Sequence, residues 1–241
     1  MGFVSLLASN AVLSALSISN LGLISSMVGF LHHEKDNVHT YQVNWPGNTV
    51  QLAVEPKKLW VDQGHTSNGV AGYGFFLGLF GIFVAWWLRK HHTRSVRLPI
   101  IGNRSFLTCL QTPSRLLLTL VILHFLAVLF TLSAIIFVFL VTNQTKGQHI
   151  SEAIARSNVP YPADKWTPET WFKAVRDLPI SKHEHDRISS KITNMVAWRW
   201  ILIPIFLTDI AAFSASAFEY FKQRRGEFGS KNARAGGFEE K

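Results

Sequence analysis

The sequence contains a single cysteine, Cys109, in 241 residues. An intramolecular disulfide needs two cysteines, and a structural zinc site built on several thiolates is excluded for the same reason. Charged residues are also scarce: they make up 16% of the chain, against about 25% in soluble domains. The composition favours a small protein that crosses a membrane several times and whose outer parts fold without disulfides.

Charged residues are absent altogether from 116–141. At about 1.5 Å per residue, a helix of this length crosses a hydrocarbon core of about 30 Å, and its backbone satisfies its own hydrogen bonds in lipid. The chain has three other long apolar stretches. The predicted fold is an all-α integral membrane protein, a bundle of four transmembrane helices at about 3–31, 70–88, 116–141 and 196–221.

The first apolar stretch has a rival interpretation as a cleaved signal peptide. It lacks a basic n-region and is longer than the usual hydrophobic region of about 7 to 15 residues, so we expect it to be retained as a span. It is rich in serine and contains Asn10 and Asn20. Because small and hydroxyl side chains allow close helix contact, this composition indicates a helix that faces protein more than lipid.

Acidic residues are missing from the loop 89–115, which contains six lysines and arginines. The positive-inside rule therefore places this loop and both termini in the cytoplasm, and the loops 32–69 and 142–195 on the outer side. The segment 222–241 is polar and rich in glycine, and we predict a disordered cytoplasmic tail. This topology explains the net charge of +9, so no nucleic-acid partner is expected; the plasma membrane and an endomembrane both stay open.

The first outer loop carries the pattern of a β-hairpin. Residues 41–45 and 50–54 alternate apolar and polar side chains on either side of Pro46-Gly47-Asn48. Period-two alternation around a Pro-Gly turn predicts two paired strands.

The second outer loop carries helix signals. Thr167 followed by Pro168 is an N-cap with proline at the first helical position, and Ser181 with Glu184 is a capping box that would start a helix running into the last span. We expect the hairpin and these helices to form a small extracytoplasmic cap. Its aromatic residues are Trp45, Trp60, Trp166 and Trp171.

The second span has a face of small residues. At about 100° per residue, five of them fall within one quarter of the helix: Ala71, Gly74, Gly78, Gly81 and Ala85. Such a face permits close helix contact. Packing inside the protein's own bundle is the favoured interpretation, and the seam of a homo-oligomer or a contact with a protein partner is the alternative.

Polar residues inside the predicted spans are the strongest candidates for a functional site. A carboxyl near mid-bilayer, as at Asp209, costs several kcal/mol unless it is protonated or has a partner. Counted from the cytoplasmic ends, Asp209 is about 18 Å deep and His124 about 12 Å deep, with Asn10 on the same side. The cluster is either a proton- or ion-linked site or a set of hydrogen bonds that hold helices together, and we favour the second interpretation.

Three weaker candidates lie outside the spans. His183 and His185 flank an acidic residue, but side chains two positions apart on a helix point to different sides, so no metal site is expected. Asn143-Gln144-Thr145 is a candidate glycosylation sequon on the outer side. Cys109, in a basic loop shortly before a span, is a candidate for palmitoylation.

The order of these features resembles the claudin-type tetraspan proteins, including the fungal PalI-like and eisosomal members. The signature of that group is a tryptophan, a Gly-Leu-Trp triplet and two cysteines in the first outer loop. Here Lys58-Leu59-Trp60 takes the place of the triplet, and both cysteines are absent. The resemblance implies a four-span architecture over most of the chain.

Three functions from different classes follow. The first is a non-enzymatic tetraspan protein that organises membrane or serves as an accessory subunit for a partner, favoured by the small-residue face and the cap. The second is a channel or transporter component that uses Asp209 and His124. The third is a membrane enzyme on a lipid-like substrate, which requires a cavity lined by several titratable groups. We expect no cofactor and lean against an enzyme.

The orientation can be tested with single cysteines in a Cys109→Ser background. Because the basic loop 89–115 should be cytoplasmic, an impermeant thiol reagent added outside should label cysteines placed at Thr49 and Lys173 and leave those at Ser95 and Ser230 unlabelled. Labelling at Ser95 from outside would reverse the orientation.

Overall fold

The computed structural model describes residues 2–56, 59–95, 105–157 and 166–236, with side chains omitted at 2, 91–95, 105–114, 154, 157 and 226–236. The helices are α1 (Gly2–His33), which continues into a π-helical turn (Glu34–Val38), α2 (Asp62–Ser95), α3 (Ser105–Gln144), α4 (Glu152–Ser157), α5 (Pro168–Arg176) and α6 (Lys182–Gly236). Two strands, β1 (Thr40–Trp45) and β2 (Asn48–Ala53), form an antiparallel pair.

Four helices in the described ranges are long and apolar enough to cross a membrane. Their candidate spans are Phe3–Val38, Asp62–Lys90, Arg115–Gln144 and Lys182–Arg225. The prediction of four apolar spans is therefore confirmed in length and composition. Each span is longer than predicted because the helices continue past the ends of their apolar stretches.

The extension is largest in α2 and α6. The sequence placed the start of the second span near residue 70, but α2 begins at Asp62. One side of its first turns is buried: it includes Ser67, whose hydroxyl lies 3.5 Å from Asn20 Nδ2 of α1. The contact gives a polar helical turn a partner and explains why the helix starts early.

The capping box that begins α6 is confirmed. Glu184 N donates to Ser181 Oγ at 3.3 Å, and Ser181 N donates back to Glu184 Oε2 at the same distance. This is the reciprocal pattern that satisfies free N–H groups at a helix start. As predicted, the helix then runs without a break into the apolar segment.

The predicted disordered tail differs from the structure. Helix α6 continues through residues 222–236, and only residues 237–241 of that tail lie outside the described ranges. Lysine, arginine, glutamate and alanine are good helix formers. Extending an existing helix avoids the cost of a new nucleus, so this polar segment can stay helical without burying apolar surface.

The chain divides into two compact units. Unit 1 comprises Met1–Ser17, Gly72–Thr131 and Pro204–Lys241, and unit 2 comprises Ile18–Ala71 and Leu132–Ile203. In unit 1, buried aliphatic residues from α1, α2 and α3 form a hydrophobic cluster. Its members are Leu6, Leu77, Val84, Ala85, Leu117, Leu120 and Ala127.

The glycines of α2 lie against α1 in unit 1. A Cβ added at Gly74 would be 2.5 Å from Ser17 Oγ, and one added at Gly78 would be 2.7 Å from the carbonyl oxygen of Asn10. A Cβ at Gly81 would overlap the side-chain amide of Asn10. The two backbones approach so closely that no side chain fits between them. The glycine part of the small-residue face is therefore occupied by the protein's own first helix.

In unit 2 the hairpin forms as predicted, with a shorter turn. Tyr41 pairs with Leu52 and Val43 with Val50, and these side chains point to one face, where three of the four are buried. Asn48 belongs to β2, so Pro46 and Gly47 alone make the turn, and Gly47 takes a positive φ of 83°. Glycine adopts this conformation without the steric cost of a Cβ.

Hydrogen bonds tie the hairpin to the helices of unit 2. The indole of Trp171 in α5 donates to the Val54 carbonyl at 2.7 Å, and the Asn44 amide donates to the Pro179 carbonyl at 2.9 Å. The predicted N-cap of α5 is confirmed, because the Thr167 hydroxyl accepts from the Thr170 amide at 3.3 Å. These contacts hold the hairpin against α5 and the segment that follows it without a disulfide.

The close approach of α1 and α2 can be tested by substituting Gly78. Gly78→Leu must push the helices apart, since a Cβ alone would already meet backbone atoms of α1; we expect a loss of about 1–3 kcal/mol or more in stability. Thermal unfolding in a mild detergent measures the effect.

Gly72→Leu is the matched control, because a Cβ at Gly72 has nothing within 4 Å. Equal melting temperatures for the two variants would show that the glycine face makes no close contact.

Candidate polar site within the spans

Six polar side chains of unit 1 lie in the apolar segments and are each at most 2% exposed. They come from three helices: Asn10 and Ser17 from α1, His124 and Thr131 from α3, and Asp209 and Ser216 from α6. In hydrocarbon such groups need partners on neighbouring helices, because no water is available to satisfy them.

His124 joins three helices. Its Nε2 lies 3.1 Å from Asn10 Oδ1 of α1, and its Nδ1 lies 3.1 Å from Ser216 Oγ of α6. Both ring nitrogens are therefore engaged. The imidazole is positioned as a bridge between α1 and α6, with α3 in the middle.

The tautomer of His124 follows from the orientation of Asn10. The amide nitrogen of Asn10 donates to the Leu6 carbonyl at 2.8 Å, so the amide oxygen faces the imidazole. An amide oxygen can only accept. Nε2 of His124 must therefore carry the proton, and in the neutral ring Nδ1 is the acceptor.

The hydroxyl of Ser216 has two acceptors within reach. Its oxygen is 3.1 Å from Nδ1 of His124 and 2.7 Å from the Ala212 carbonyl. When the ring is neutral, the hydroxyl proton can serve Nδ1. When the ring is protonated, Nδ1 donates to the Ser216 oxygen and the hydroxyl turns to Ala212. The partners present are compatible with both protonation states.

Asp209 is bound by Thr131. The Thr131 hydroxyl donates to Asp209 Oδ2 at 2.7 Å, while Oδ1 is buried and has no hydrogen-bond partner among the described residues. An ionised carboxylate in this place would have one donor for two oxygens. That is a costly arrangement at the depth of a hydrocarbon core.

The sequence placed Asp209 and His124 in one polar cluster, with His124 or serine residues as the expected partners of Asp209. Asp209 contacts Thr131, and His124 contacts Asn10 and Ser216. On α3, His124 and Thr131 are seven residues apart, and on α6 so are Asp209 and Ser216. Seven residues correspond to about 10.5 Å along a helix at 1.5 Å per residue. Depth counted from uncertain span ends is inaccurate by a helical turn or more, which is enough to exchange one partner for another.

Thr131 and Ser216 were missed, although the sequence contains a signal for them. Polar residues recur at a spacing of seven on both α3 and α6, at 124 and 131 and at 209 and 216. Side chains seven apart lie on nearly the same side of a helix. On antiparallel helices this spacing matches 124 with 216 and 131 with 209, the two pairs that the structure contains.

The cap aromatics differ in burial. Trp166 and Trp171 are buried with ring centroids 5.2 Å apart in an edge-to-face contact. Trp60 is half-buried, and its ring centre lies 6.5 Å from that of Phe137, in the C-terminal part of α3. Trp45, which we expected to fill the cap, is half-buried at the hairpin tip because the two-residue turn follows it directly.

The sequon and the cysteine have different outcomes. Asn143 is exposed in the last turn of α3, but the Thr145 hydroxyl is buried and donates to the Val141 carbonyl at 2.9 Å. That contact engages the hydroxyl on which the sequon depends. The backbone of Cys109 lies in α3, whereas its side chain is outside the described part. Within the described ranges, no three His, Cys, Asp or Glu residues converge to hold a metal ion.

Two buried carboxylates in unit 2 were not singled out. Glu34 is 1% exposed, accepting from the Tyr41 hydroxyl at 2.5 Å and from Arg187 of α6 at 3.1 Å. Burial, together with this hydrogen bond and the negative charge of Glu34, raises the pKa of the Tyr41 phenol well above its usual range. Burial of Glu34 was not predictable from the sequence, because an acid in a polar loop is ordinarily exposed.

The second buried carboxylate, Glu169, lies in the first turn of α5. It accepts from Lys173 Nζ at 2.5 Å and from Arg199 Nη1 at 3.0 Å. Arg199 is itself largely buried, and its guanidinium lies 5.6 Å from the centre of the Phe139 ring. Burial of this charge is compensated by two cations, which is how proteins tolerate ions away from water.

Comparison of the chain with protein-family models, curated proteins and solved structures gives no match. The class of protein is therefore defined by the fold and the site alone. The four apolar helices fit a multi-pass membrane protein, and three of them are joined by hydrogen bonds between buried polar side chains.

The contact between α3 and α6 can be tested with Thr131→Val, which keeps the shape of the side chain and removes the donor to Asp209. The carboxyl loses its partner, so we expect a stability loss of about 1–3 kcal/mol, measured by thermal unfolding in detergent.

Thr119→Val is the control on the same helix, because Thr119 is exposed and its hydroxyl donates to the Arg115 carbonyl of its own helix. Its effect should stay within about 0.5 kcal/mol. Equal losses would mean that the Asp209 contact contributes nothing.

Proposed function

We propose that this protein is a non-enzymatic four-span membrane protein, a helical bundle with an outer cap and cytoplasmic termini. It organises membrane or serves as an accessory subunit for a protein partner. The proposal rests on one observation: polar side chains in the spans form hydrogen bonds with one another. Asn10, His124 and Ser216 bind one another across three helices, which is the role of hydrogen bonds that hold a bundle together.

The helix contacts of unit 1 support the same proposal. Atoms of α1 occupy the space beside the glycines of α2, so this face packs within the chain. A homo-oligomer or partner that contacts α2 would use the opposite side of the helix, where Phe76, Phe83 and Trp86 are exposed. Large apolar side chains there suit lipid or another apolar helix equally well.

The cap also supports a role in contacts outside the bilayer. Its hairpin is held by the hydrogen bond from Trp171 of α5 to the Val54 carbonyl and by the buried Glu34, which binds Tyr41 and Arg187, while the Glu169 ion pair joins α5 to α6. A small outer domain with a defined shape is suited to recognition, and the claudin-type resemblance agrees with this architecture although the two signature cysteines are absent. We propose the cap as the part that a partner contacts.

A second candidate function is a proton-linked channel or transporter component. Two observations favour it: the Ser216 hydroxyl can satisfy His124 in either protonation state, and Asp209 Oδ1 has no partner among the described residues. Ionisable groups inside spans often mark proton pathways. No comparable observation in the described part of the chain favours the third hypothesis, a membrane enzyme.

Substitution of Asp209 separates the two candidates. Asp209→Asn keeps a group that accepts from Thr131 but cannot titrate, so under the structural role it should retain expression, partner binding and cellular phenotype. Asp209→Leu should lose expression under either role, because it leaves Thr131 without its acceptor in an apolar segment. Expression is followed by fluorescence-detected gel filtration, and partner binding by reciprocal pull-down in mild detergent.

The control is Ser214→Ala, which removes an exposed hydroxyl of α6 that bonds its own helix. A folded but inactive Asp209→Asn variant would reject the structural role. The purified wild type, reconstituted in vesicles containing a pH-sensitive dye, should then show a proton flux that this variant lacks.

A further inference from the structure

One side of α2 in unit 1 has a row of exposed side chains that ends in a lysine. Four of them are large apolar residues, between 45% and 71% exposed, and the lysine is exposed as well. At about 100° per residue, the five positions fall within a sector of about 80°, on the side of the helix away from the glycines that contact α1. We call this row the α2 stripe; its members are Phe76, Leu79, Phe83, Trp86 and Lys90.

The α2 stripe has the dimensions of a lipid in one leaflet. From Phe76 to Trp86 the helix rises by about 15 Å, which is half of a hydrocarbon core of about 30 Å. Lys90 lies about 6 Å beyond Trp86, and the polar headgroup region on one side of a bilayer is about 5–7 Å thick. An acyl chain that lies along the apolar part of the stripe therefore brings its headgroup to the level of Lys90.

The lysine distinguishes a lipid from another apolar helix. Its ammonium lies 5.1 Å from the centre of the Trp86 ring, and it forms no ion pair with an acid in the described part of the chain. Tryptophan is common where acyl chains meet headgroups. The apolar side chains alone suit a lipid or a helix, but a covering apolar helix would leave the charge of Lys90 without a counterion, whereas a lipid phosphate supplies one.

The charge around Lys90 favours a lipid with a net negative charge. All described lysine and arginine side chains of unit 1 are exposed and lie at the same end of its helices: Arg89, Lys90, Arg115, Lys222, Arg224 and Arg225. Among the side chains described at this end, Glu219 is the one carboxylate, and it lies 4.0 Å from Lys222. This excess of positive charge repels the cationic choline of a zwitterionic lipid and attracts an anionic headgroup.

We propose that the α2 stripe binds an anionic phospholipid, with an acyl chain on Phe76, Leu79 and Phe83 and the headgroup phosphate at Lys90. The site requires that α2 crosses the bilayer, but it does not depend on the side of the membrane that Lys90 faces. It would give the protein a preference for one class of lipid, in addition to any contact that the cap makes with a protein partner.

Native mass spectrometry tests the proposal on the full chain, purified in a mild detergent and stripped of lipid. Dioleoyl phosphatidylglycerol and dioleoyl phosphatidylcholine are added in equal amounts, because they have the same acyl chains and differ in net charge. One lysine near an anionic surface contributes a factor of about five, so the first lipid bound should be phosphatidylglycerol in an excess of about fivefold or more. Equal occupancy by the two lipids would overturn the proposal.

Three variants locate the site. Lys90→Gln removes the charge at similar length and should lower the preference by about fivefold, while Phe83→Ala should lower the occupancy of both lipids. Lys222→Gln is the matched control, since it removes the same charge at the same end of unit 1 from an exposed position on α6; it should keep the preference. All three positions are exposed, so the variants should fold, and gel filtration checks this.

Two results would reject the site. Equal losses in Lys90→Gln and Lys222→Gln would mean that the lipid is attracted by the overall charge and not by the α2 stripe. A dimer of the lipid-free chain that Phe83→Ala dissociates would assign the stripe to a second copy of the protein.

Discussion

A polar side chain inside a hydrocarbon-spanning helix must find a hydrogen-bond partner within the protein, and much of unit 1 depends on this constraint. His124 meets it with both ring nitrogens, one toward α1 and one toward α6. Asn10 is held by its own helix through the Leu6 carbonyl, and this contact selects the tautomer of the ring. The glycines of α2 bring its backbone against α1 beside the same asparagine, so polar and steric contacts converge at one level of the helices.

The same requirement is met differently in unit 2. Its buried carboxylates, Glu34 and Glu169, are compensated by arginines of α6. In a chain with one cysteine, these ion pairs and the indole-to-carbonyl bond of Trp171 hold the hairpin and α5 in place. Breaking one partner of such a pair is expensive, whereas the pair itself adds little. These pairs therefore add little net stability, but the loss of either arginine would leave a buried carboxylate without its cation.

Features set by neighbouring residues were predictable from the sequence. The four apolar helices, the turn at Gly47, the N-cap at Thr167 and the capping box at Ser181 all follow from local composition and spacing. The partners of Asp209 and His124 were not predictable in this way, because they depend on the register between antiparallel helices. The ends of the spans, which set that register, were known only to within a few turns. Glu34 was overlooked for a related reason: its burial is decided by Tyr41 and by Arg187, more than 150 positions away.

The seven-residue spacing of polar groups on α3 and α6 has a mechanical consequence. A slide of one helix along the other by a single turn, about 5.4 Å, would separate His124 from Ser216 and Thr131 from Asp209 in the same movement. Neither pair could compensate for the loss of the other, because the residues that take their places are apolar over most of this segment. The two bonds act together as a lock against piston motion, so any displacement of α3 and α6 that preserves both must carry the two helices as one rigid pair.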